Sequence, residues 1–227
     1  MKKVFIDCGA NVGQSAKAWL SCIPESEHEE WEIHCFEASK KPFQKLMKKS
    51  TELLRQFNGS EKNITCYNKA VWINDLGVKF YDLGNQSSST HSEKQGMAFA
   101  DARIVESVDL SDFIQSFDIN DHIVLKMDIE GGEYEVVPHL YETGAMEYIN
   151  AAFMEFHSTK IKGVSIEEDF AILEMFNGEG IELHHWSAEY TKANTNPYDR
   201  IITKKGIIKD WRRKNALSQE EAEKYEK

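Results

Sequence analysis

Several features that would point to a particular class of protein are missing from this sequence. Its 227 residues contain no hydrophobic run near the ~18 residues that cross a bilayer, and no targeting leader precedes Val4. Basic residues are scarce, since 27 lysines and arginines face 38 acidic residues for a net charge of −11. That charge repels phosphate backbones and anionic lipids. We therefore expect a cytoplasmic protein with no nucleic-acid partner and no membrane insertion.

Cysteine and proline are scarce as well. Cys8, Cys22, Cys35 and Cys66 are far apart, and no Cys-x-x-Cys pair indicates a zinc or dithiol site. We predict reduced thiols, with Cys8 and Cys35 in the core. With four prolines and 41% hydrophobic residues, a chain of this length is expected to form one domain.

Short apolar runs alternate with amphipathic stretches along the chain. Predicted strands lie at residues 4–8, 31–37, 64–67, 123–127 and 151–156, and predicted helices at residues 14–20, 41–57, 133–141 and 166–176. Such alternation forms βαβ units, whose right-handed crossovers build a parallel sheet with helices on both faces. The sequence therefore predicts one α/β domain over residues 1–208 and a helical or frayed tail over residues 209–227.

Residues 71–105 interrupt this alternation. Phe80 and Tyr81 are typical of a strand, but residues 85–95 are polar and rich in serine, with a turn residue, Gly84, just before them. We expect a hairpin whose loop could act as a lid.

Residues 4–13, VFIDCGANVG, indicate a buried strand, a tight turn and the start of a helix. Gly9 and Gly13 let the backbone approach a bulky ligand, and the helix N-terminus supplies free amides. A dinucleotide loop needs Gly-x-Gly-x-x-Gly, but Asn11 and Gln14 stand where its second and third glycines should be. S-adenosylmethionine, which has no diphosphate, suits this loop better.

An acidic residue, Glu37, closes the second predicted strand. A carboxylate offers only hydrogen-bond acceptors, which suits the two hydroxyl groups of a ribose. Glu37 by itself could equally cap a surface helix, but the glycine loop at residues 7–13 favours the ribose.

Carboxylates also follow two later strands. Asp128 and Glu130 lie just past residues 123–127, at the sheet edge where open α/β folds bind ligands, although both could merely cap the next helix. Glu155 and His157 share one face of the following strand and should emerge at the same edge. A histidine among carboxylates suits the role of a general base. We predict His157 as the base, with Asp128 and Glu155 as the other catalytic residues.

Five short blocks of this sequence occur in a recognisable order. They are FIDCGANVG, FEA, KAV, LKMDIEG and MEFH, at residues 5–13, 36–38, 69–71, 125–131 and 154–157. In this order they resemble the FkbM-type S-adenosylmethionine-dependent methyltransferases, over roughly residues 4–160. The Lys-x-Asp-x-Glu-Gly block is the most specific, since many class I methyltransferases share the glycine loop.

The resemblance implies a Rossmann-like, three-layer class I methyltransferase sandwich with a seven-stranded, mostly parallel sheet containing one antiparallel strand. It also implies O-methylation of a small molecule, commonly a sugar, a glycan or a natural product. The residues that would contact S-adenosylmethionine are Asp7, Gly9, Ala10, Asn11, Gly13 and Gln14 in the loop, Glu37 and Ala38 at the ribose, Ala70 and Val71 near the adenine, and Asp128 facing the methyl donor.

Many members of that family carry helices before the first strand that help to cover the active site. Almost nothing precedes the first strand here, so we expect residues 85–95 or residues 184–197 to cover the pocket.

A divalent metal ion is one option for activating the acceptor, because it lowers the pKa of a bound alcohol as it does that of water. Asp128, Glu155 and His157 would supply a Mg²⁺ or Mn²⁺ site. A single histidine among the ligands favours Mn²⁺ or no metal, so both alternatives stay open.

Two other functions compete with methyl transfer. A nicotinamide-dependent oxidoreductase could use the same general fold, but the incomplete glycine pattern opposes it. A non-catalytic cofactor-binding module could dock a partner through residues 209–227, which the set of Asp128, Glu155 and His157 opposes.

Overall fold

The computed structural model describes residues 1–57, 63–84, 87–97, 101–186 and 201–215. These residues form ten strands: β1 (Lys3–Cys8), β2 (Trp31–Phe36), β3 (Ile64–Tyr67), β4 (Ala70–Trp72), β5 (Val78–Asp82), β6 (Asp101–Val105), β7 (Ser107–Asp109), β8 (His122–Met127), β9 (Ile149–Met154) and β10 (Leu183–His185). They also form six α-helices: α1 (Gln14–Cys22), α2 (Lys40–Gln56), α3 (Leu110–Gln115), α4 (Glu133–Glu142), α5 (Ile166–Gly178) and α6 (Lys204–Asn215).

The central sheet has the strand order β10-β9-β8-β1-β2-β3, and all neighbouring strands in it are parallel. The apolar runs explain this arrangement, because strands covered by helices on both faces are buried along their length. In β1 and β8, five of the six residues are buried. The prediction of a Rossmann-like α/β fold with a mostly parallel sheet is confirmed.

The strand count differs from the one that the resemblance implied. Over the described ranges the sheet has six strands, all parallel, rather than seven with one antiparallel. Ile201 makes a single antiparallel bridge with His184, and the Ile202 amide donates to the Leu183 carbonyl at 2.7 Å. One bridge does not make a strand. Residues 187–200, which include most of the predicted cover at 184–197, lie outside the described residues.

Side chains alternate between the two faces of the sheet and build a core on each. On β1, Ile6 packs in the core that includes α3, α4 and α5, whereas Phe5 packs in the core that includes α1 and α2. Trp19 of α1 stacks on Phe5 with ring centroids 4.7 Å apart. The sheet is therefore the middle of three layers, and its edges remain open for loops.

The strands β4 to β7 form a small unit beside the main sheet, in and around the predicted insertion at residues 71–105. β5 and β6 pair antiparallel, and β4 pairs in parallel with β7. Between β5 and β6 the chain folds back along residues 87–97, which we call the cover segment. Backbone hydrogen bonds of 2.7 and 3.1 Å between Tyr81 and Ser89 hold it against β5. Residues 85–86 of the predicted lid lie outside the described ranges.

The helix α6 spans the predicted boundary at residue 208 between the domain and the tail. Its buried residues Ile207 and Ile208 pack in the same core as α5, and Trp211 Nε1 donates to Asp169 at 3.1 Å. Residues 216–227 of the predicted tail lie outside the described residues. Among the helices that are described, none is both long and apolar enough to cross a membrane.

Among the glycines in the described part of the chain, the tightest backbone approach occurs at Gly9, directly after β1. Its φ is +79°, and a Cβ placed there would lie 1.9 Å from the carbonyl oxygen of Asp128. That oxygen belongs to the backbone just past β8, so it cannot move aside without separating β1 from β8. Only glycine fits at this position.

We expect Gly9→Ala to lower the free energy of unfolding by about 3 kcal/mol or more, because left-handed strain and a backbone clash add together. Gly180→Ala is the matched control, since Gly180 has a φ of +72° but nothing within 4 Å of the added methyl group. It should cost only about 1–2 kcal/mol. Urea unfolding measures both values, and equal losses would show that the clash at Gly9 is not significant.

Candidate functional site

A cavity of about 260 Å³ lies at the carboxyl ends of β1, β2 and β8. β2 and β3 extend the sheet on one side of β1, and β8 to β10 extend it on the other. Ligands of open α/β sheets bind where the strand order reverses in this way. Nine of the eleven predicted cofactor residues line the cavity: Gly9, Ala10, Asn11, Gln14, Glu37, Ala38, Ala70, Val71 and Asp128.

The other two predicted cofactor residues, Asp7 and Gly13, lie away from the cavity wall. Asp7 is fully buried beneath the loop, where it accepts a hydrogen bond from the Ser15 hydroxyl. Gly13 has a φ of +89°, and a Cβ there would contact Leu46 and Lys49 of α2. The structure thus places both residues where they shape the loop rather than where they would contact a ligand in the cavity.

Glu37 lies at the end of β2 and lines the cavity. Its two carboxylate oxygens accept hydrogen bonds from the backbone amides of Asn11 at 2.9 Å and Ser39 at 2.7 Å. Burial nevertheless raises the pKa of Glu37 to about 7. The side chain is held rigidly, and each oxygen retains a lone pair for a further donor.

Lys126, the lysine of the Lys-x-Asp-x-Glu-Gly block, was given no role in the sequence analysis, yet it lies at the centre of the site. Its side chain is 1% exposed, and its Nζ lies 3.1 Å from Asp7 Oδ1. The same ammonium group donates to the carbonyls of Cys8 at 3.1 Å and Gly9 at 2.8 Å. Burial opposes the charge, but Asp7 and Asp128 raise the pKa of Lys126 above its ordinary value.

Asp128 and Glu130 follow β8 and both line the cavity. Burial raises the pKa of Asp128 to about 6. Glu130 has a φ of +60°, unusual for a residue with a side chain, and its Oε2 lies 2.5 Å from Lys94 Nζ. Burial would raise the pKa of Glu130, but His157 and Lys94 lower it to about 2.

His157 lies behind the cavity wall and is fully buried. Its Nδ1 is 3.2 Å from Glu133 Oε1, and its Nε2 is 3.2 Å from Glu130 Oε2 and 3.6 Å from Asp128 Oδ1. Burial opposes protonation, but Glu133 and Glu130 raise the pKa of His157 to about 10. Because the enclosed imidazole does not line the cavity, this geometry does not support His157 as the base.

Comparison with known proteins identifies the family. The model of the methyltransferase FkbM domain matches residues 7–185. The chain belongs to the FkbM methyltransferase family. No curated protein and no solved structure gives a significant match. The matched region runs from the end of β1 to β10 and includes all the cavity-lining residues except Trp186, which supports a methyltransferase activity for this site.

The cavity of this FkbM-family methyltransferase has both charged and aromatic walls. Glu155 continues from β9 into the cavity, and Lys160 Nζ lies 3.3 Å from its Oε1. Trp186 and Phe80 supply the aromatic surface. Of the predicted catalytic residues, Asp128 and Glu155 therefore reach the cavity and His157 does not.

The cover segment closes one side of the cavity through Ser87, Ser88 and Thr90. It is fastened to the turn after β8, because the Ser89 hydroxyl donates to the Glu130 carbonyl at 2.6 Å and Lys94 pairs with the Glu130 carboxylate. Lys94 also bridges to Ile161. Three residues of the predicted lid thus line the cavity, and its role as a lid stays a prediction. Lys94, which the sequence did not single out, contacts the cavity residue Glu130.

We expect Lys126→Met to lower the free energy of unfolding by about 3–5 kcal/mol, because the change leaves the Asp7 charge buried and unpaired. Lys45→Met on the exposed face of α2 is the matched control and should change little. Denaturant unfolding of Lys126→Met, Asp7→Asn and the double variant completes the comparison. Strictly additive losses would contradict a direct pairing of these two groups.

Proposed function

We propose that this chain is an S-adenosylmethionine-dependent O-methyltransferase that acts on a hydroxyl group of a small molecule. One observation carries the proposal: a single cavity is lined by the Glu37 carboxylate, the glycine loop, Asp128 and Glu155. We call the part around Glu37 the donor end and the part around Glu155 the acceptor end. Donor and acceptor can therefore lie in one enclosure, as a direct methyl transfer requires.

The donor end of the cavity suits the adenosine portion of the cofactor. Glu37 would accept hydrogen bonds from the ribose hydroxyl groups, while Ala70 and Val71 would contact the adenine. Asp128, near the reversal point of the sheet, would lie closer to the sulfonium charge and attract it. The incomplete glycine pattern, with Asn11 in place of a second glycine, continues to oppose a dinucleotide.

The acceptor end suits proton removal by a carboxylate. As the acceptor oxygen bonds to the methyl carbon, the carbon–sulfur bond breaks and its electron pair returns to sulfur. The hydroxyl proton passes to Glu155, whose carboxylate reaches the cavity. The products are the methyl ether, S-adenosylhomocysteine and protonated Glu155. Lys160, 3.3 Å from Glu155, would help to orient that carboxylate.

The walls near Glu155 favour a sugar or another polyhydroxylated acceptor. Charged groups on Glu155 and Lys160 can meet hydroxyl groups, while Trp186, whose amide donates to the Met154 carbonyl beside Glu155, offers a flat apolar surface. An aliphatic acceptor would form no hydrogen bonds with these charged groups. A natural product with a hydroxylated ring fits the same surface.

The first test is ligand binding by calorimetry. The protein should bind S-adenosylhomocysteine and show no response to NAD. Binding of NAD alone would establish the oxidoreductase alternative. Binding of S-adenosylhomocysteine without methyl transfer to any acceptor in a panel of sugars and hydroxylated natural products would instead favour the non-catalytic module.

Cofactor affinity should depend on the protonation of Glu37, whose pKa is raised to about 7 by burial. The ionised carboxylate accepts hydrogen bonds from the ribose, so affinity should fall as the pH decreases through 7. The loss should approach about tenfold per pH unit below that value. Calorimetry with S-adenosylhomocysteine over this range measures it. Glu37→Gln should bind weakly and without this dependence, and a flat wild-type profile would contradict the role of Glu37.

Glu155→Gln should lower turnover by about 10²–10⁴-fold, because it removes the proton acceptor, while S-adenosylhomocysteine affinity stays nearly constant. Glu147→Gln also removes one negative charge, but from an exposed turn outside the cavity, and should be neutral. Single-turnover kinetics with radiolabelled cofactor would measure the step. Full activity in Glu155→Gln would move the base elsewhere, with Asp128 as the next carboxylate to test.

A further inference from the structure

Three side chains behind the acceptor end converge on one point. His157 Nε2 lies 3.2 Å from Glu130 Oε2 and 3.6 Å from Asp128 Oδ1, and one ligand atom from each residue lies within 4.8 Å of the others. Two carboxylates and an imidazole are ligands that divalent first-row transition ions accept. A cluster of acidic residues alone would not indicate a metal site. The burial and hydrogen bonding of the three ligand atoms are therefore decisive.

Two of these ligand atoms are buried without a suitable hydrogen bond. His157 is fully buried, and within the described ranges its Nε2 has no partner of acceptable geometry. Glu130 Oε2 is also unsatisfied by this criterion, because the Lys94 ammonium group lies close but off the direction of a hydrogen bond. Burying polar atoms in this way is costly unless another group binds them.

Glu133 supports the imidazole from behind. It is fully buried, its carboxylate accepts the amides of Ile129 and Gly131 at 2.7 Å each, and it lies 3.2 Å from His157 Nδ1. A carboxylate on one ring nitrogen fixes the tautomer of metal-binding histidines and directs the other nitrogen to the ion. Glu133 lies in the corresponding position, at ion-pair distance from Nδ1 but without the geometry of a hydrogen bond, and Nε2 is directed toward Asp128 and Glu130.

We propose that Asp128, Glu130 and His157 bind one divalent metal ion, with Mn²⁺ as the best fit to two carboxylates and one imidazole. This inference rests on the proposed methyl transfer and adds an activating group to its acceptor end. Because Asp128 and Glu130 line the cavity, an acceptor hydroxyl could reach the ion, which would lower the pKa of that hydroxyl.

The proposed ligand set differs from the one predicted from the sequence in one member. Glu155 Oε1 lies 4.0 Å from His157 Nε2, farther than Glu130 Oε2 at 3.2 Å, and Glu155 pairs with Lys160. Glu130 therefore replaces Glu155 as a ligand and leaves Glu155 free to take the acceptor proton. The competing explanation is a metal-free network in which a protonated His157 and Lys94 balance the carboxylates.

The test is a titration of the full chain, stripped with EDTA and dialysed, with Mn²⁺ alone. Electron paramagnetic resonance should show one bound Mn²⁺ per chain. Glu130→Gln and His157→Gln should each weaken binding by more than about 100-fold, and Glu133→Gln by about 10–100-fold. Glu155→Gln and the exposed control Glu147→Gln should change Mn²⁺ affinity by less than threefold, about 0.7 kcal/mol.

Thermal unfolding checks that each variant is folded. If the buried change His157→Gln prevents folding, Glu130→Gln on the cavity wall still tests the metal site. No Mn²⁺ or Mg²⁺ binding tighter than about 1 mM, or equal binding by the wild type and Glu130→Gln, would overturn the metal site. Calorimetry of the same stripped wild-type sample with S-adenosylhomocysteine separates the two proposals. Cofactor binding without metal binding rejects only the metal site, whereas metal binding without cofactor binding rejects the methyl transfer.

Discussion

The buried ammonium group of Lys126 joins the two strands between which the cavity opens. Lys126 on β8 is directly opposite Asp7 on β1, and the same nitrogen holds the carbonyls of Cys8 and Gly9. A charge at this depth is tolerated only because it is paired and hydrogen bonded. With those carbonyls turned inward, the loop has a fixed shape, and the amide of Asn11 is available to Glu37. The shape of the cavity at the glycine loop therefore depends on the ion pair between Lys126 and Asp7.

The sequence predicted the strongly patterned parts of the fold well. β1, β3 and β8 were placed to within one residue, because each is a short, largely apolar run followed directly by turn-forming or polar residues. The meeting of Asp128 and Glu155 at one edge was also predictable, since parallel strands end on the same side of a sheet. How deeply each of these side chains is buried was not predictable. A position at a strand end does not tell whether a side chain such as Asp7 or His157 faces the cavity or lies beneath a loop.

Lys126 was missed for a related reason. A lysine in an apolar strand is ordinarily read as the solvent-facing member of the alternation, and its partner Asp7 is more than a hundred residues away. The family block contained the signal, because that lysine is the only basic residue in the apolar run before Asp128. Contacts that depend on the packing of distant strands, such as Glu133 behind His157 and Lys94 on Glu130, leave no local pattern to read.

The cover segment lies outside the parallel sheet, so the shape of the cavity wall and the stability of the sheet can change independently. It connects β5 and β6, whose ends are held together by their own antiparallel pairing outside the parallel sheet. Loops between paired strands can change in length and composition at small cost to stability. Sequence drift in residues 87–97 can therefore change one wall of the cavity while the strands of the parallel sheet keep their geometry. Under the proposed methyl transfer, acceptor preference would then diverge between related proteins faster than the fold that supports it.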